Sequence, residues 1–314
     1  MLYRIDFKAM GTSMTAMLES PHPQASQALE CLPAQFEEWE KILSRFRPGS
    51  ELNQLNHAAG LPFKVSPTLW DVCASAHEME HLSTGLVRAT LRLALEQAGY
   101  DRNFEDIPPT QHTAYFPGWN SAHSLDEAYF NEEEQSICLP AGVQLDFGGV
   151  AKGWAAMQAL KLLASHGAAM VSAGGDMAFT AGEQNDYDWP ISVNDPFHPG
   201  SSLATLRLRG GGLATSGRDR RRWVQNRQWK HHIIDPRTCL PAITDVFTIT
   251  AIAPDAILAE MAAKTGLILG SQHGMDWFNH HEGYHALMVL ESGEVRFSKN
   301  MPEYFWSENE YRFE

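Results

Sequence analysis

The amino-acid sequence predicts an α+β fold, a mixed α/β arrangement, and three observations carry that expectation. In the front third, Leu29, Leu32, Phe36, Trp39 and Leu43 recur every three or four positions, the apolar stripe of an amphipathic helix. Beyond about residue 128, short apolar runs alternate with glycine turns, as strands do. Two helical stretches interrupt those strands, from Val150 and from Asp255, and each is closed by a glycine, Gly167 and Gly270.

Taken along the chain, Tyr3 to Leu18 alternates like one strand. The Leu29 helix stops near the turn Arg47-Pro48-Gly49-Ser50. Ser66-Pro67 supplies an N-cap followed by proline at the first helical position, so a second helix runs from there through Trp70, Cys73 and His77 toward Gly85. From about Gln111 to Asn131 periodicity is lost and a loop is expected, followed by a hairpin around Ala128 to Leu139. Strands are expected at Gln144–Phe147, Met170–Ser172, Trp189–Val193, Ala204–Leu208, Val224–Ile234 and Val246–Ile252. The domain expectation is one unit over 1–314, with a helical front lobe at about 20–110 and a strand-rich lobe at about 128–314.

Charge narrows the partners. With 24 Lys and Arg against 38 Asp and Glu the formal net charge is -14, which repels phosphate backbones and argues against nonspecific nucleic-acid binding. No apolar run approaches the roughly 18 residues of a membrane span. The four cysteines are scattered without a CxxC pair, and the N-terminal stretch lacks the apolar segment of a signal peptide; both point to a cytoplasmic protein.

Four stretches carry candidate chemistry. In LDFGGVAKGWAAM, residues 145 to 157, glycines turn the chain into a helix whose first turn holds Lys152, a place where a backbone and a cation could meet a phosphate. SAGGDMAFTAG, from 172, is a glycine turn whose Asp176 could simply cap backbone N–H groups. LATSGRDRRRW, from 213, brings Thr215, Ser216 and Gly217 to a basic run that reads as an anion clamp or as a solvated face. KHHIIDPRTCLPA, from 230, places two adjacent histidines on a strand, so that they point to opposite sides, and either could be structural or a general base.

Read in order, AMGTSM (9–14), LSRFRPGSELNQLN (43–56), GYDRNFE (99–105), LDFGGVAKGWA (145–155), SAGGDM (172–177), ATSG (214–217) and HHIIDPRT (231–238) resemble the flavin transferases of the ApbE type. The resemblance implies a T-fold-like architecture with an FAD cleft between lobes. It also implies FAD:protein FMN transfer: a Thr or Ser hydroxyl of a target flavoprotein, in a motif rich in Ser and Thr, takes FMN from FAD and releases AMP. By that resemblance Met10, Gly11 and Thr12 line the flavin end, and Phe46 stands where a Tyr is common. Gly148, Gly149, Ala151 and Lys152 approach the pyrophosphate, Gly174, Gly175 and Asp176 add a second backbone contact, and Thr215, Ser216 and Gly217 position phosphates. His232 matches the catalytic histidine.

The family's magnesium is held by an Asp and a Thr of a helical ADALAT stretch together with the carbonyl matching Ala151. Here the stretch reads AEMAAK, with Glu260 at the Asp position and Lys264 at the Thr position. A protonated ammonium has no lone pair for a metal. Two accounts stay open: Lys264 stands in for the metal beside the pyrophosphate, or Glu260 and Lys264 form an ordinary i,i+4 pair. Other departures are Val87-Arg88 for Phe-Asp, Met157 for Asp, and Cys239 for Gly. The expected activity is therefore the transferase, with a flavin-binding relative that has lost metal-dependent transfer, or an FAD hydrolase, as the rival readings.

Overall fold

The computed structural model describes residues 1–111, 123–182 and 187–307. Most of the loop expected after Gln111, residues 112–122, lies outside the described residues. Two compact units emerge, each from non-consecutive chain: Met1–Ala34, Lys152–Asp219 and Thr244–Glu314 in one, Gln35–Ala151 and Arg220–Ile243 in the other. This differs from the consecutive lobes read from the sequence, because the N-terminal strands pair with strands after residue 167, a long-range choice that local periodicity does not encode.

The first unit is built on an eight-stranded sheet whose strands follow chain order: Leu2–Ala9, Thr12–Glu19, Ala168–Ala173, Asp176–Thr180, Gly211–Gly217, Val246–Ala253, His285–Leu290 and Val295–Phe297. Every neighbour is antiparallel. The single strand expected over Tyr3–Leu18 is instead a hairpin, since Met10 (φ 50°) and Gly11 (φ 67°) both take the left-handed conformation of a two-residue turn. Only Gly11 is a turn residue by composition, so the alternation ran across the break.

Alternation along each strand sorts the two faces. Met170, Phe179, Leu213, Ile252 and Leu287 form one face and pack on the ribbon Trp189–Asn194/Ser202–Leu208, which contributes Trp189, Ile191, Leu206 and Leu208. The other face carries Ala214 and Ala253, small enough for the helix Ala256–His280 to lie close, with Ala259 against them. At Gly212 the approach is closest: a Cβ there would stand 2.2 Å from the backbone of Asp255 and Ala256. Gly153 meets the same helix start from the helix Ala151–Leu163, its hypothetical Cβ 3.0 Å from the Ala256 carbonyl oxygen. The helix begins at Asp255, whose carboxylate accepts from the Leu258 N–H (2.8 Å). It breaks at Gly270 (φ 81°), where the sequence predicts a stop, and resumes to His280 because Asp245 caps the new start through the Ser271 N–H (2.9 Å).

The second unit holds the helices Glu51–His57, Pro67–Leu82 and Arg92–Gln97 and three small sheets. Its core gathers Leu91, Leu95, Tyr100, Ile107, Ile234 and Trp223, whose indole N–H donates to the Ala98 carbonyl (2.7 Å). The helix expected from Leu29 is two, Ala25–Glu30 and Leu32–Leu43, separated at Cys31. The strand expected over Val224–Ile234 is a hairpin, Arg222–Gln225 with Gln228–His231, turned by Asn226 (φ 51°) and Arg227 (φ 65°). Residues 144–147 form no strand: Leu145 pairs its backbone with the side-chain amide of Asn56 (2.7 and 3.0 Å), and the Asp146 N–H donates to the Ala89 carbonyl (2.8 Å). Among the described residues no helix is long and apolar enough to cross a membrane.

Replacing Gly212 with Ala forces a Cβ into the Asp255–Ala256 backbone, so Gly212→Ala is expected to destabilise by on the order of 3 kcal/mol. Gly210→Ala, two residues earlier, meets only the Phe179 carbonyl oxygen at 4.0 Å and should change stability by less than about 0.5 kcal/mol. Urea unfolding of both variants checks the contrast.

Candidate functional site

Antiparallel register collects three of the predicted stretches at one end of the first unit's sheet. Met14 faces Ala173 and Leu213 faces Met177, so the turns Met10–Gly11 and Gly174–Gly175 and the strand end Thr215–Gly217 fall on the same edge. Gly174 (φ 70°) packs so tightly on Thr12 that a Cβ would come within 2.6 Å of the Thr12 hydroxyl, and its N–H donates to the Ser13 carbonyl (3.1 Å). The chain can make this contact only with glycine, because the left-handed backbone and the absent side chain are both needed.

The two hydroxyls of the strand end diverge. Thr215 is exposed on the ribbon side of the sheet and shares a hydrogen bond with Thr250 (2.9 Å). Ser216 is buried on the opposite side, the side that carries the helix Ala256–His280. The alternation that makes a strand therefore separates residues that adjacency in sequence placed together. Arg218, first of the basic run, spends its guanidinium on the Val246 carbonyl (3.0 Å) and Glu291 (2.8 Å).

On the helix side stands a four-charge cluster. Lys152, from the first turn of its helix, pairs with Asp176, which follows the Gly174–Gly175 turn, and its Nζ also lies 3.2 Å from Glu260 Oε1. The same oxygen accepts from Lys264 Nζ at 2.6 Å, one turn further along the helix. Asp176 and Glu260 are buried, with side chains 8% and 3% exposed, and the lysines nearly so at 13% and 18%; this is no solvated surface pair. Glu260 Oε2 is buried and accepts no hydrogen bond among the described residues.

The two carboxyls respond in opposite directions. Burial pushes Glu260 up, but the Lys152 and Lys264 ammonium groups together outweigh burial and hold it well below the usual carboxylate range. Burial and the negative charge of Glu260 push Asp176 up, and the ammonium of Lys152, with that of Lys264 behind it, offsets them only in part. Glu260 is the better-compensated anion, so a proton entering the cluster goes first to Asp176.

The second unit organises its own predicted residues. Arg45, buried, packs its guanidinium 4.3 Å from the Phe46 ring and 4.7 Å from the Tyr100 ring, beside the Asp146 carboxylate (2.5 Å). Asp146 also accepts from the Gly148 N–H (2.8 Å), shaping the Gly148-Gly149 turn that leads to Ala151 and its helix. Asn53 secures the stretch before it by donating to the carbonyls of Arg45 (2.9 Å) and Arg47 (2.8 Å). Arg45, Tyr100 and Asp146 were not singled out from the sequence; an arginine flanked by Ser and Phe reads as surface until its aromatic neighbours are known.

Of the two histidines, His231 ends its strand buried and contacts the Ala242 carbonyl (3.0 Å), while His232 follows at a bend and is half-buried. His232 is thus not on the strand, contrary to the alternation argument. Cys239 is buried at φ 55°, and burial pushes its thiol up, as an inert packed cysteine requires. Arg88 lies 3.3 Å from the buried Glu80.

Lys264→Met leaves Glu260 with one shared ammonium and should cost about 2–3 kcal/mol at pH 7. The Glu260 carboxyl is depressed in the folded state, so its contribution is present above its unfolded value, about 4.3, and is lost as pH falls through the folded value. The variant's deficit should therefore shrink below about pH 4; urea unfolding at both pH values with equal deficits contradicts this account.

The profile of the ApbE family matches residues 10–288. The FAD:protein FMN transferase of Treponema pallidum is 28% identical over 306 residues, covering 92% of this chain and 84% of that protein. The FAD:protein FMN transferase of Salmonella typhimurium is 25% identical over 301 residues, covering 92% and 85%. Among solved structures, the ApbE protein of Thermotoga maritima superposes with a TM-score of 0.82 at 25% identity, over 97% of this chain and 99% of its own. The flavinyl transferase ApbE of Pseudomonas stutzeri shares the fold, with a TM-score of 0.79 at 18% identity over 98% of each chain. With nine-tenths of its described length inside that family's pattern and its sheet, turns and helices in the family's arrangement, this chain belongs to the ApbE family.

Proposed function

We propose that the chain is an FAD:protein FMN transferase, taking FAD as its small-molecule substrate and a flavoprotein with a Ser/Thr-rich acceptor motif as its protein substrate. Family membership supports the reaction class, and one observation carries the assignment of the site: the buried Lys152–Asp176–Glu260–Lys264 cluster at the glycine-turn end of the sheet. In the reaction, the acceptor hydroxyl oxygen bonds to the FMN-side phosphorus of FAD. The bond from that phosphorus to the bridging oxygen breaks, and AMP leaves with the electron pair. The hydroxyl proton goes to His232, assigned as base on its place in HHIIDPRT.

Within the first unit, Lys152 and Lys264 supply fixed positive charge where negative charge grows on the departing phosphate. Met10, Gly11, Thr12, Gly174, Gly175 and Gly217 offer backbone to the substrate, and Ser216 a hydroxyl on the cluster's side of the sheet; Thr215 contributes through Thr250 rather than from that side. Phe46, Gly148, Gly149 and Ala151 keep the flavin and pyrophosphate roles that the family resemblance implies.

Magnesium does not fit the described residues of the cluster. It needs a near-octahedral shell of oxygens. Glu260 Oε1 already holds two ammonium groups, Asp176 is paired with Lys152, and Lys264 brings a cation where an oxygen ligand is required. We infer that Lys264 takes the place of the ion and that transfer runs without it.

Three measurements test the reading. His232→Ala should lower AMP release with an acceptor protein by about 10²–10⁴-fold while FAD binding persists. The native chain should transfer FMN in the presence of EDTA, whereas Glu260→Asp paired with Lys264→Thr should require magnesium. Bound FAD without AMP release under every condition would favour the flavin-binding reading, and AMP release without acceptor would favour hydrolysis.

A further inference from the structure

Away from that cluster, the second unit brings three metal-ligating atoms to one point. His77 and His81 lie four residues apart on the helix Pro67–Leu82, hence on one face. Asp126 reaches them from the short helical turn Leu125–Glu127. His77 Nε2 stands 2.7 Å from Asp126 Oδ1, His81 Nε2 stands 2.9 Å from it, and the two nitrogens are 3.1 Å apart.

Proton arithmetic shows that hydrogen bonds alone serve this triangle poorly. Each Nε2 carries at most one hydrogen, and an ionised carboxylate carries none. If both nitrogens donate to Asp126, two N–H groups face each other at 3.1 Å. If one is bare, its lone pair faces the carboxylate oxygen at 2.7 or 2.9 Å. With Asp126 ionised, no placement of protons makes all three contacts attractive, whereas a cation at the centre is attracted by all three lone pairs at once.

The surroundings hold the ligands in place. Phe130 stacks on the His77 ring at 5.7 Å and 5° and is itself backed edge-on by Trp70. Glu80, buried on the same helix, accepts from the Leu125 N–H (3.0 Å), tying the Asp126 turn to the histidine helix. Ser124 and Glu127 close a capping box around that turn, and the Ser124 hydroxyl accepts from the Asp126 N–H (3.0 Å).

The same pair is written in the sequence. Residues 77–81 read HEMEH, the H-E-x-x-H spacing by which a helix presents two histidines to zinc. We propose that His77, His81 and Asp126 form a binding site for a divalent transition ion of the zinc class, with the remaining coordination open to water. Imidazole nitrogens favour zinc, nickel or copper over magnesium or calcium. Tetrahedral zinc spaces its ligand atoms by about 3.4 Å, so the sides of the triangle open by about 0.3 to 0.7 Å on loading, which the half-exposed His81 and Asp126 side chains allow. Glu78 is exposed and Glu80 is committed to Leu125 and Arg88, so neither is assigned to the ion.

The test is titration of the full chain with zinc chloride by calorimetry, in parallel for the native protein, His81→Ala and Asp126→Asn, with circular dichroism as the check on folding. Because the chain has 14 histidines, the difference between the proteins is what counts. The expected result is one zinc site in the native chain, weakened about tenfold or more in each variant. Magnesium in large excess should leave it filled, and cobalt should give the intense visible bands of a four- or five-coordinate ion only in the native chain. Zinc binding of equal number and strength in all three proteins, or none in the native chain, overturns the proposal.

Discussion

The geometry of the first unit hangs on the contact between the Gly212 backbone and the start of the helix Ala256–His280. A strand backbone and a helix N-terminus approach this closely only where no side chain intervenes, and Gly212, with Ala214 and Ala253 beside it, provides that strip. Seating the helix there fixes where its first turns fall. Glu260 then arrives one turn in and Lys264 two turns in, over the sheet end that carries Asp176. A side chain at position 212 would lift the helix and separate charges whose burial is tolerable only in contact.

Burying four ionised groups is costly, and the cluster is stable because each anion touches a cation and the formal charges cancel. The arrangement is asymmetric: Glu260 meets two ammonium groups through one oxygen, and its second oxygen accepts no hydrogen bond among the described residues. A site preloaded with lysine charge suits a substrate that brings phosphates, since its oxygens can compete for ammonium groups already desolvated and oriented. It suits a small divalent cation badly, for the same reason.

Much of the fold was legible. Glycine turns, the capped helices after Asp255 and Ser66, and the order of the short motifs could be read from composition and spacing because each is a local matter of backbone freedom or capping. The hairpins at Met10–Gly11 and Asn226–Arg227 were not, because Met, Asn and Arg enter the left-handed region there under the demands of strand pairing. The candidate site was legible in its membership and not in its directions. Thr215 and Ser216 were read as partners, and a strand's alternation sends them to opposite faces. HEMEH at 77–81 went unread in the sequence, and its third ligand lies in a separate turn that only folding brings within reach.

By itself, the sequence determined the fold class, the family and the i,i+4 spacing of Glu260 and Lys264, because these follow from residue identity and order. Tertiary structure alone decided that Lys264 is buried against Glu260 and that Lys152 links Glu260 to Asp176. It also decided that His77, His81 and Asp126 converge. The reason is physical: local pattern sets how a segment coils or pleats, whereas burial and the meeting of charges depend on sheet register and helix seating, which are settled by contacts far apart in the chain.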